Sequence, residues 1–451
     1  MVLQSVLHWQ SHFKDYQMIP FADSLSISLN DRVRCDVVYF DFSKAFDSVN
    51  HDIILWKLKH QFKIDGRLLK FFVNYLQHRF QRVVINGEMS SLKPVTSGVP
   101  QGSILGPLFF VLFINDMTAC VSEGTNIALY ADDTKIWRNI QTWQDHLTLQ
   151  NDITQLYEWS VANKMMFHPK KCKVLTVTVE QTLHCDSEWK LFPFQAFYYQ
   201  LNDTELEIVK SETDLGVTVT STLNYNEHSL KLYSKASSRL GLLRRALHFV
   251  SDQKQKRAFY LAIVRSLFEH CSVVWRPTAE TTINKLENIQ RRAIKWILSE
   301  EGHHYNDLEY TKRLKDLDLL PLSISKKFEY ADLSVFYIIY HNLSVNKLPV
   351  YLQPLDGEDT LSRLRPVINP PTHMTGQDGI HKLSSMRANQ LDKLSLKCSI
   401  KASSPAFKSS FFFRTHLLWN VLPLGIKEAS TPSEFESKLK HHMWDVILDP
   451  H

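Results

Sequence analysis

The sequence predicts a mixed α/β (α+β) fold in which helices flank an antiparallel sheet. Residues 34–42, RCDVVYFDF, are β-branched, aromatic and mostly apolar on both faces, which is typical of a strand covered on both sides. Residues 126–137, NIALYADDTKIW, have the pattern of a hairpin with two acids at its tip. Residues 66–77 space their apolar side chains with a helical period. Together these stretches predict strands and helices in one unit.

Composition indicates a globular, intracellular protein. The chain of 451 residues is 44% hydrophobic and 12% aromatic, which is enough for two or three domains with sizeable cores. Its six cysteines have no CxxC spacing, so neither a disulfide framework nor a zinc cluster is indicated, and a reducing compartment, nucleus or cytoplasm, is favoured. No signal peptide is evident at the N-terminus, and the longest apolar run, residues 108–114, is too short for a bilayer. We therefore expect neither secretion nor a membrane partner.

Positive charge is concentrated in one segment. Residues 229–300 contain 14 Lys or Arg against five Asp or Glu, a net of +9, which leaves −4 for the rest of a chain whose net charge is +5. Such a segment could grip a polyanion. From charge alone, a solvated helix face is an equally good interpretation.

Three carboxylates stand at predicted strand ends. Asp132 and Asp133 lie at the tip of the predicted hairpin, where Asp is also common simply because it favours turns. Asp41 lies near the end of the first strand, where a carboxylate is costly unless it is paired or bound to a cation. Asp47, just beyond, is better explained as a turn or cap residue.

A glycine-rich turn precedes an apolar helix. Residues 96–107, TSGVPQGSILGP, contain three glycines and two prolines and lead into LFFVLFINDM. A turn of this kind lets backbone N–H groups approach a phosphate or a base closely, although an ordinary strand-to-helix loop has the same composition. Two carboxylates brought together beside it could hold two divalent cations, of which magnesium suits an all-oxygen site. The predicted chemistry is phosphoryl transfer.

Three motifs carry a family resemblance. FDFSKAFDSVNH, SGVPQGSILGPLFF and YADD occur in this order, and they resemble the palm motifs of reverse transcriptases from non-LTR retrotransposons of the LINE class, especially the jockey and CR1-like branches. The resemblance is sharpest from Asp36 to Lys173 and weaker beyond. It implies a right-hand polymerase fold and an RNA-directed DNA polymerase, a nucleotidyltransferase that uses dNTPs, an RNA template and a DNA primer. It also implies two Mg²⁺ ions, with Mn²⁺ as a substitute.

The same resemblance implies roles for individual residues. Asp41 and Asp132 match the metal-binding carboxylates, and Asp133 completes the acidic pair. Lys171 matches a lysine considered as a proton donor to pyrophosphate, although His168 stands nearby where the family usually has Asn. Phe46 matches the position that blocks a ribose 2′-hydroxyl. The turn that contacts template and incoming nucleotide is matched by Pro100, Gln101 and Gly102.

The resemblance also divides the chain. The predicted parts are a remnant of the fingers at 1–34, the palm with inserted fingers helices at 35–180, palm-to-thumb strands at 181–228, a basic helical thumb at 229–300 and a helical C-terminal extension at 301–451. The strands include residues 214–217, DLGV, which resemble the element that grips the primer end. Since only 40 residues precede Asp41, we expect an N-terminally truncated member of the family.

Two helices of the predicted thumb are amphipathic and basic. The nucleic-acid-binding side chains expected on them are Lys231, Lys235, Arg239, Arg291, Arg292 and Lys295. Contacts of this kind position a duplex without reading its sequence. The main hypothesis is therefore RNA-templated DNA synthesis. Two alternatives remain, a catalytically inactive remnant that only binds nucleic acid and a purely structural protein.

Overall fold

The computed structural model forms two compact units. It describes residues 13–77, 79–178, 198–277, 279–299, 307–322, 326–344, 346–354, 392 and 394–448. The first unit comprises mainly Asp31–Leu215, together with Thr220–Thr222. The second comprises Lys14–Asn30, Gly216–Val219 and the chain from Leu223 onwards. The site predicted from the motifs belongs to the first unit.

Helices make up most of the regular structure. The α-helices of the described residues are α1 (Phe13–Asn30), α2 (Ala45–Ser48), α3 (His51–His60), α4 (Gly66–Leu76), α5 (Leu105–Ile114), α6 (Trp143–Ala162), α7 (Asn226–Ala246), α8 (Gln253–Phe259), α9 (Ser266–Glu269), α10 (Ser272–Trp275), α11 (Glu280–Ile297), α12 (Asp307–Asp316), α13 (Lys326–Tyr340), α14 (Pro405–Ser409), α15 (Phe411–Val421), α16 (Leu424–Lys427) and α17 (Pro432–Leu448). Asn115–Cys120 and Pro169–Lys171 form 3₁₀ turns, and Tyr260–Arg265 forms a π-helical turn. None of the helices in the described part of the chain is both long and apolar enough to cross a membrane.

The strands are mostly short. They are β1 (Arg34–Phe40), β2 (Phe80–Gln81), β3 (Val84–Ile85), β4 (Glu88–Met89), β5 (Lys93–Pro94), β6 (Asn126–Tyr130), β7 (Asp133–Ile140), β8 (Lys173–Val177), β9 (Gln200–Leu201), β10 (Thr204–Glu205), β11 (Glu207–Val209), β12 (Ser211–Asp214), β13 (Val217–Thr220), β14 (Leu352–Pro354) and β15 (Leu396–Cys398). Five of them form the main sheet, in the order β11-β8-β1-β7-β6.

The main sheet confirms the predicted fold class. Strand β1 pairs antiparallel with both β7 and β8, and β6 pairs antiparallel with β7. The edge strand β11 departs from this pattern, because it runs parallel to β8. Strand β1 lies at the centre, and its side chains are largely buried, as its apolar character on both faces predicted.

One face of this sheet packs on helices. Because side chains alternate across a strand, Val38 and Phe40 share a face, which packs with Ile136 and Val174 of the neighbouring strands. The core around them includes Phe109 and other side chains of α5 and α6. The opposite face of β1 carries Tyr39, and Asp41, two residues later and just beyond the strand, continues this face.

The predicted helices of the first unit form at their expected positions. The Asn50 side chain caps α3 by accepting hydrogen bonds from the backbone N–H groups of Asp52 and Ile53, both at 3.1 Å. Asp65 caps α4 in a similar way, through a hydrogen bond from Gly66 N at 2.7 Å. Both helix starts therefore follow from local capping chemistry.

The β-rich residues 79–86, RFQRVVIN, predict one strand, and the Asn86-Gly87 pair predicts a turn after it. In the structure this strand is interrupted. Strand β2 pairs with β5, whereas β3 pairs with β4 across a turn at Asn86 and Gly87. Both turn residues have positive φ, 53° and 88°, which is the conformation that an Asn-Gly hairpin turn requires. The turn was predicted correctly, but Val83 exchanges hydrogen bonds with Ser90 instead of continuing one strand.

The second unit is predominantly helical. The predicted basic helices are α7 and α11. The aromatic cluster of α15 lies in the interior, where Phe411, Phe412 and Trp419 are buried. These aromatic side chains stabilise the C-terminal region by packing.

Helix α1 packs against the C-terminal region within this second unit. Tyr351 donates a hydrogen bond from its hydroxyl to Asp23 Oδ1 at 2.7 Å, and Asn346 Nδ2 donates to the Tyr16 carbonyl at 2.8 Å. Asn30 Oδ1 accepts a hydrogen bond from Ser403 N at 2.8 Å. The assignment of 1–34 to a fingers remnant stays a prediction, and residues 1–12 of it lie outside the described residues.

The buried carboxyl of α1 makes the second unit sensitive to pH. Burial raises the pKa of Asp23 to about 7, and the hydrogen bond from Tyr351 only partly offsets this effect. The folded protein therefore retains a proton that the unfolded chain loses near pH 4. Because the folded state binds the extra proton, the free energy of unfolding should fall as pH rises from about 4 to about 7, by at most about 1.4 kcal/mol per pH unit. Urea unfolding at a series of pH values measures this slope.

The control is Asp23→Asn, which retains a hydrogen-bond acceptor for Tyr351 but does not titrate. Its unfolding free energy should vary less between pH 5 and pH 7 than that of the unaltered chain. Identical pH dependence in the two proteins would contradict a role for Asp23.

Candidate active site

The structure brings the three predicted carboxylates to one end of the main sheet. In the β1–β7 pairing, Phe40 lies opposite Thr134. Asp41 follows Phe40 and Asp133 precedes Thr134, so both residues adjoin the last pair of this register. Asp132 occupies the turn between β6 and β7. Carboxylates that are 91 residues apart in sequence thus lie at the same end of the sheet.

The turn that carries Asp132 is short and conformationally costly. Tyr130 pairs with Asp133, so only Ala131 and Asp132 connect the strands. Ala131 has a φ of 51°, in the left-handed region that a residue with a Cβ adopts at a cost of about 1 kcal/mol. A positive φ at this position is what a two-residue hairpin turn requires. Asp132 is exposed at the tip.

Lys171 lies beside the first carboxylate. Its Nζ is 3.2 Å from Asp41 Oδ1, and the two side chains are 59% and 45% exposed. Both are accessible to a ligand, and an exposed pair of this kind contributes little to stability. The predicted proton donor and the predicted metal ligand are therefore in direct contact.

The loop of Lys171 is fixed to the residues that follow β1. His168 N donates to the Asp41 carbonyl at 2.8 Å, and Ser43 N donates to the Met166 carbonyl at 2.9 Å. The rings of Phe42 and Phe167 stack with centroids 4.4 Å apart. These contacts hold the loop in place where His168 replaces the usual Asn.

Cys172 follows Lys171, but its thiol is unreactive. Burial raises the pKa of its thiol to about 11. The thiol therefore stays protonated near neutral pH, and a neutral thiol is a poor nucleophile and metal ligand. Of these two neighbours, only Lys171 can act on a charged substrate.

The glycine turn packs along the segment that contains Phe46. Val99 N donates to the Phe46 carbonyl at 2.9 Å, and Gly98 N donates to the Val49 carbonyl at 2.8 Å. Gly98 has a φ of 88°, and a Cβ there would lie 3.2 Å from the backbone of Asp47. Glycine is required at this position for both reasons.

The predicted nucleotide-contacting residues are accessible beyond this packing. Gln101 and Gly102 are exposed and Pro100 is half-buried. Gln101 Nε2 donates to Asp47 Oδ1 at 3.3 Å. The hydroxyl of Ser103 donates to the Pro100 carbonyl at 2.7 Å and closes the turn before α5. Ser103 is thus a supporting residue that the sequence did not single out.

Phe46 is held by the core of the first unit. Its ring stacks on Phe110 of α5 with centroids 4.4 Å apart and an interplanar angle of 29°. The side chain is half-buried. The packing fixes its orientation, as a residue that limits the shape of a substrate requires.

The predicted nucleic-acid-binding residues divide into two groups. Arg292 is exposed on α11 and donates to the Ser237 hydroxyl of α7 at 3.1 Å, so the two helices pack together. Lys235 is exposed on α7, and the exposed Lys231 pairs with Glu227 at 2.7 Å.

The other group makes internal contacts. Arg239 donates to the Ile263 carbonyl at 3.0 Å, and the Arg291 guanidinium lies 4.0 Å from the centroid of the Tyr310 ring. Lys295 is half-buried. Lys235 and Arg292 are therefore better placed for an external ligand than Arg239 or Arg291.

The donor set suits a hard divalent cation. Asp41, Asp132 and Asp133 offer only oxygen atoms, and Asp41 already accepts an ammonium group. No three His, Cys, Asp or Glu side chains of the described residues converge closely enough to hold a metal ion by themselves. Mg²⁺ is usually held by one or two carboxylates together with substrate phosphates, and this set fits that arrangement.

A sheet with strand-end carboxylates, flanked by helices and a glycine turn, is the arrangement that the motifs predicted for a polymerase palm. Residues 2–221 match the family described as reverse transcriptase (RNA-dependent DNA polymerase). The match covers 220 of the 451 residues, and the matching family is the one that the three motifs predicted. Enzymes of this family generally use divalent metal ions.

Curated relatives come from non-LTR mobile elements. The chain is 25% identical over 300 residues to a probable RNA-directed DNA polymerase from transposon BS of Drosophila melanogaster, which covers 64% of this chain and 32% of the relative. It is also 25% identical over 270 residues to the RNA-directed DNA polymerase from mobile element jockey of the same fly, with 57% and 28% covered. The chain thus spans about a third of the length of these relatives.

Solved structures with partial similarity are telomerases. The telomerase from Candida albicans, in complex with a fragment of telomeric RNA, has a TM-score of 0.39 and 12% identity and covers 73% of this chain and 50% of its own. Apo telomerase from Candida tropicalis has a TM-score of 0.38 and 12% identity, with 73% and 52% covered.

Proposed function

We propose that this chain is an RNA-directed DNA polymerase that adds nucleotides from dNTPs to the 3′-hydroxyl of a DNA primer on an RNA template. The observation that carries the proposal is the β1–β7 register, whose last pair adjoins Asp41 and Asp133. This end of the sheet lies in the segment that matches the reverse transcriptase family. Phosphoryl transfer needs mainly positioning and charge stabilisation, and this end of the sheet supplies the charged groups.

Asp41, Asp132 and Asp133 would hold two Mg²⁺ ions, for which Mn²⁺ is a substitute. Bound cations would lower the pKa of the primer hydroxyl and neutralise charge on the triphosphate. The three carboxylates contribute negative charge and fixed oxygen positions, and the strand pairing restricts their motion.

The reaction joins the primer 3′-oxygen to the α-phosphorus of the dNTP and breaks the bond between the α- and β-phosphates. The hydroxyl proton passes to solvent, and pyrophosphate leaves. Lys171 would donate a proton to the leaving pyrophosphate, which its accessible ammonium beside Asp41 supports.

Substrate selection would depend on Phe46 and the glycine turn. The fixed ring of Phe46 would exclude a ribose 2′-hydroxyl, and Pro100, Gln101 and Gly102 would contact the template and the incoming nucleotide. The core packing of Phe46 and the exposure of Gln101 and Gly102 support these roles.

The basic helices would bind the template–primer duplex through its phosphates. Log affinity falls with log salt, and each phosphate contact contributes about 1 to the steepness of this fall. Replacing both Lys235 and Arg292 with Gln should therefore make the fall shallower by about 2. Fluorescence anisotropy with a labelled RNA–DNA hybrid across a salt series measures this change.

A matched control removes two exposed lysines elsewhere in the same unit, Lys397→Gln and Lys401→Gln. This variant should keep the slope of the unaltered chain. Equal slopes in all three proteins would show that Lys235 and Arg292 do not contact the duplex.

The test of the proposed function is a primer-extension assay with an RNA template, a DNA primer and all four dNTPs. We expect extension that EDTA stops and added Mg²⁺ or Mn²⁺ restores. Salt-sensitive binding of the hybrid without any extension would instead identify a nucleic-acid-binding protein without catalytic activity.

A further inference from the structure

A buried ion pair lies next to the candidate active site and is not part of the proposed catalytic set. Lys135 of β7 bonds to Asp214 at the end of β12, and their side chains are 6% and 5% exposed. Taking both charges out of water is costly, and a buried pair is weak evidence for stability. Stability alone is therefore a weak explanation for this pair.

The pair lies on the face of the sheet that carries the carboxylates. Lys135 follows Asp133 by two residues on the same strand, so both side chains lie on the same face. Lys135 also lies directly opposite Tyr39 of β1, two residues before Asp41. Lys135 is thus two residues along its strand from Asp133, and the residue opposite it is two residues from Asp41.

A second, more exposed ion pair lies on the other side of Tyr39. Lys173 of β8 also lies opposite Tyr39, and it pairs with Glu207 of β11. Both acidic partners, Glu207 and Asp214, belong to the segment 207–214. Two lysines that flank Tyr39 therefore contact the same segment, and only the Lys135–Asp214 contact is buried.

The segment ends in the residues that resemble a primer grip. Asp214 is the first residue of DLGV, and Leu215 after it has a φ of 47°, so the chain turns sharply at this point. The position of this turn relative to Asp41 and Asp133 depends on what holds Asp214. Within the first unit, the buried contact of Asp214 is with Lys135.

We propose that Lys135 and Asp214 are positioning residues for polymerisation, which hold the turn at 214–215 in register with the catalytic carboxylates and so align the primer 3′ end. This inference rests on the proposed function. Asp133 and Lys135 share one rigid strand, so the ion pair ties the primer-contacting turn to the same strand that carries a metal ligand.

The decisive variant replaces the pair with apolar residues, Lys135→Met together with Asp214→Leu. Because no unpaired charge stays buried, this double variant should fold, with an unfolding midpoint close to that of the unaltered chain. The rate of single-nucleotide incorporation from a pre-bound primer should fall at least about tenfold, since small misalignments of reacting groups slow a reaction strongly. The concentration of dNTP at half-maximal rate should stay unchanged.

Two further variants separate positioning from packing. Asp214→Glu retains the ion pair and should retain most of the incorporation rate. Lys438→Gln with Glu434→Gln removes an exposed ion pair of α17 in the second unit and should leave the rate unchanged. An unchanged rate in the Lys135–Asp214 double variant would overturn the proposal and leave the pair a structural role.

A second readout keeps the inference testable without activity. Hydrogen–deuterium exchange of residues 211–217 should be faster in the double variant than in the unaltered chain. If the unaltered chain does not extend primers, the proposed function fails, and unchanged exchange at 211–217 would separately refute the positioning role. Faster exchange would show, without any activity assay, that the ion pair restrains the turn at 214–215.

Discussion

Replacing Asp132 or Asp41 with Asn is expected to abolish extension of a DNA primer on an RNA template, with a rate loss of at least about 10³-fold. Each substitution keeps the size of the side chain but removes a carboxylate charge from the end of the sheet where β1 pairs with β7. Binding of the RNA–DNA hybrid should stay within about twofold, since phosphate contacts elsewhere supply most of the affinity. Single-turnover incorporation and fluorescence anisotropy measure the two quantities.

The matched control is Asp52→Asn, the same chemical change at an exposed position of α3. Its incorporation rate should equal that of the unaltered chain. Extension retained by Asp132→Asn would refute the proposed mechanism, because the turn carboxylate would then be dispensable.

Replacing Gly106 with Ala is expected to displace the glycine turn. A Cβ at Gly106 would lie 2.7 Å from the Pro100 carbonyl oxygen and 3.1 Å from the Ser103 hydroxyl. The closer atom belongs to the backbone, so the turn that carries Gln101 and Gly102 must move. We expect a loss of about 1–3 kcal/mol in unfolding free energy and a lower incorporation rate. Urea unfolding and single-turnover kinetics on the same preparation test both effects.

Gly425→Ala provides the comparison for this substitution. Gly425 lies in α16, and a Cβ there would meet no atom within 4 Å. Stability should therefore be unchanged or slightly higher. If Gly106→Ala behaved like Gly425→Ala, the close packing of the turn on α5 would not matter.

The local parts of the site could be predicted because each has its own sequence pattern. Apolar residues around YADD form a hairpin, and its turn contains Asp132. Asn50 and Asp65 cap helices at the positions where the apolar period begins. In each case, neighbours in sequence supply the contacts that determine the structure. The helical period likewise located α7 and α11.

The interrupted strand near residue 82 shows where prediction from local sequence patterns fails. Residues 79–86 have a continuous β-rich pattern, yet β2 and β3 pair with different partners, β5 and β4. Pairing in short exposed strands is weakly specified by side chains, because neither face is buried.

Partners distant in sequence could not be predicted at all. Lys135 gives no local sign that it will be buried, and its partner Asp214 is 79 residues away. The contact between Asp23 of α1 and Tyr351 spans 328 residues. Such contacts depend on how whole elements pack, which periodicity and capping do not encode.

The most direct test of the central claim is single-nucleotide incorporation on RNA templates that differ only in the first unpaired base, with the unaltered chain and Asp132→Asn side by side. The unaltered chain should incorporate the complementary dNTP on each template when a divalent cation is present, and Asp132→Asn should incorporate none. Binding of the hybrid by the unaltered chain without incorporation, or equal incorporation by both proteins, would contradict an active polymerase centred on these carboxylates.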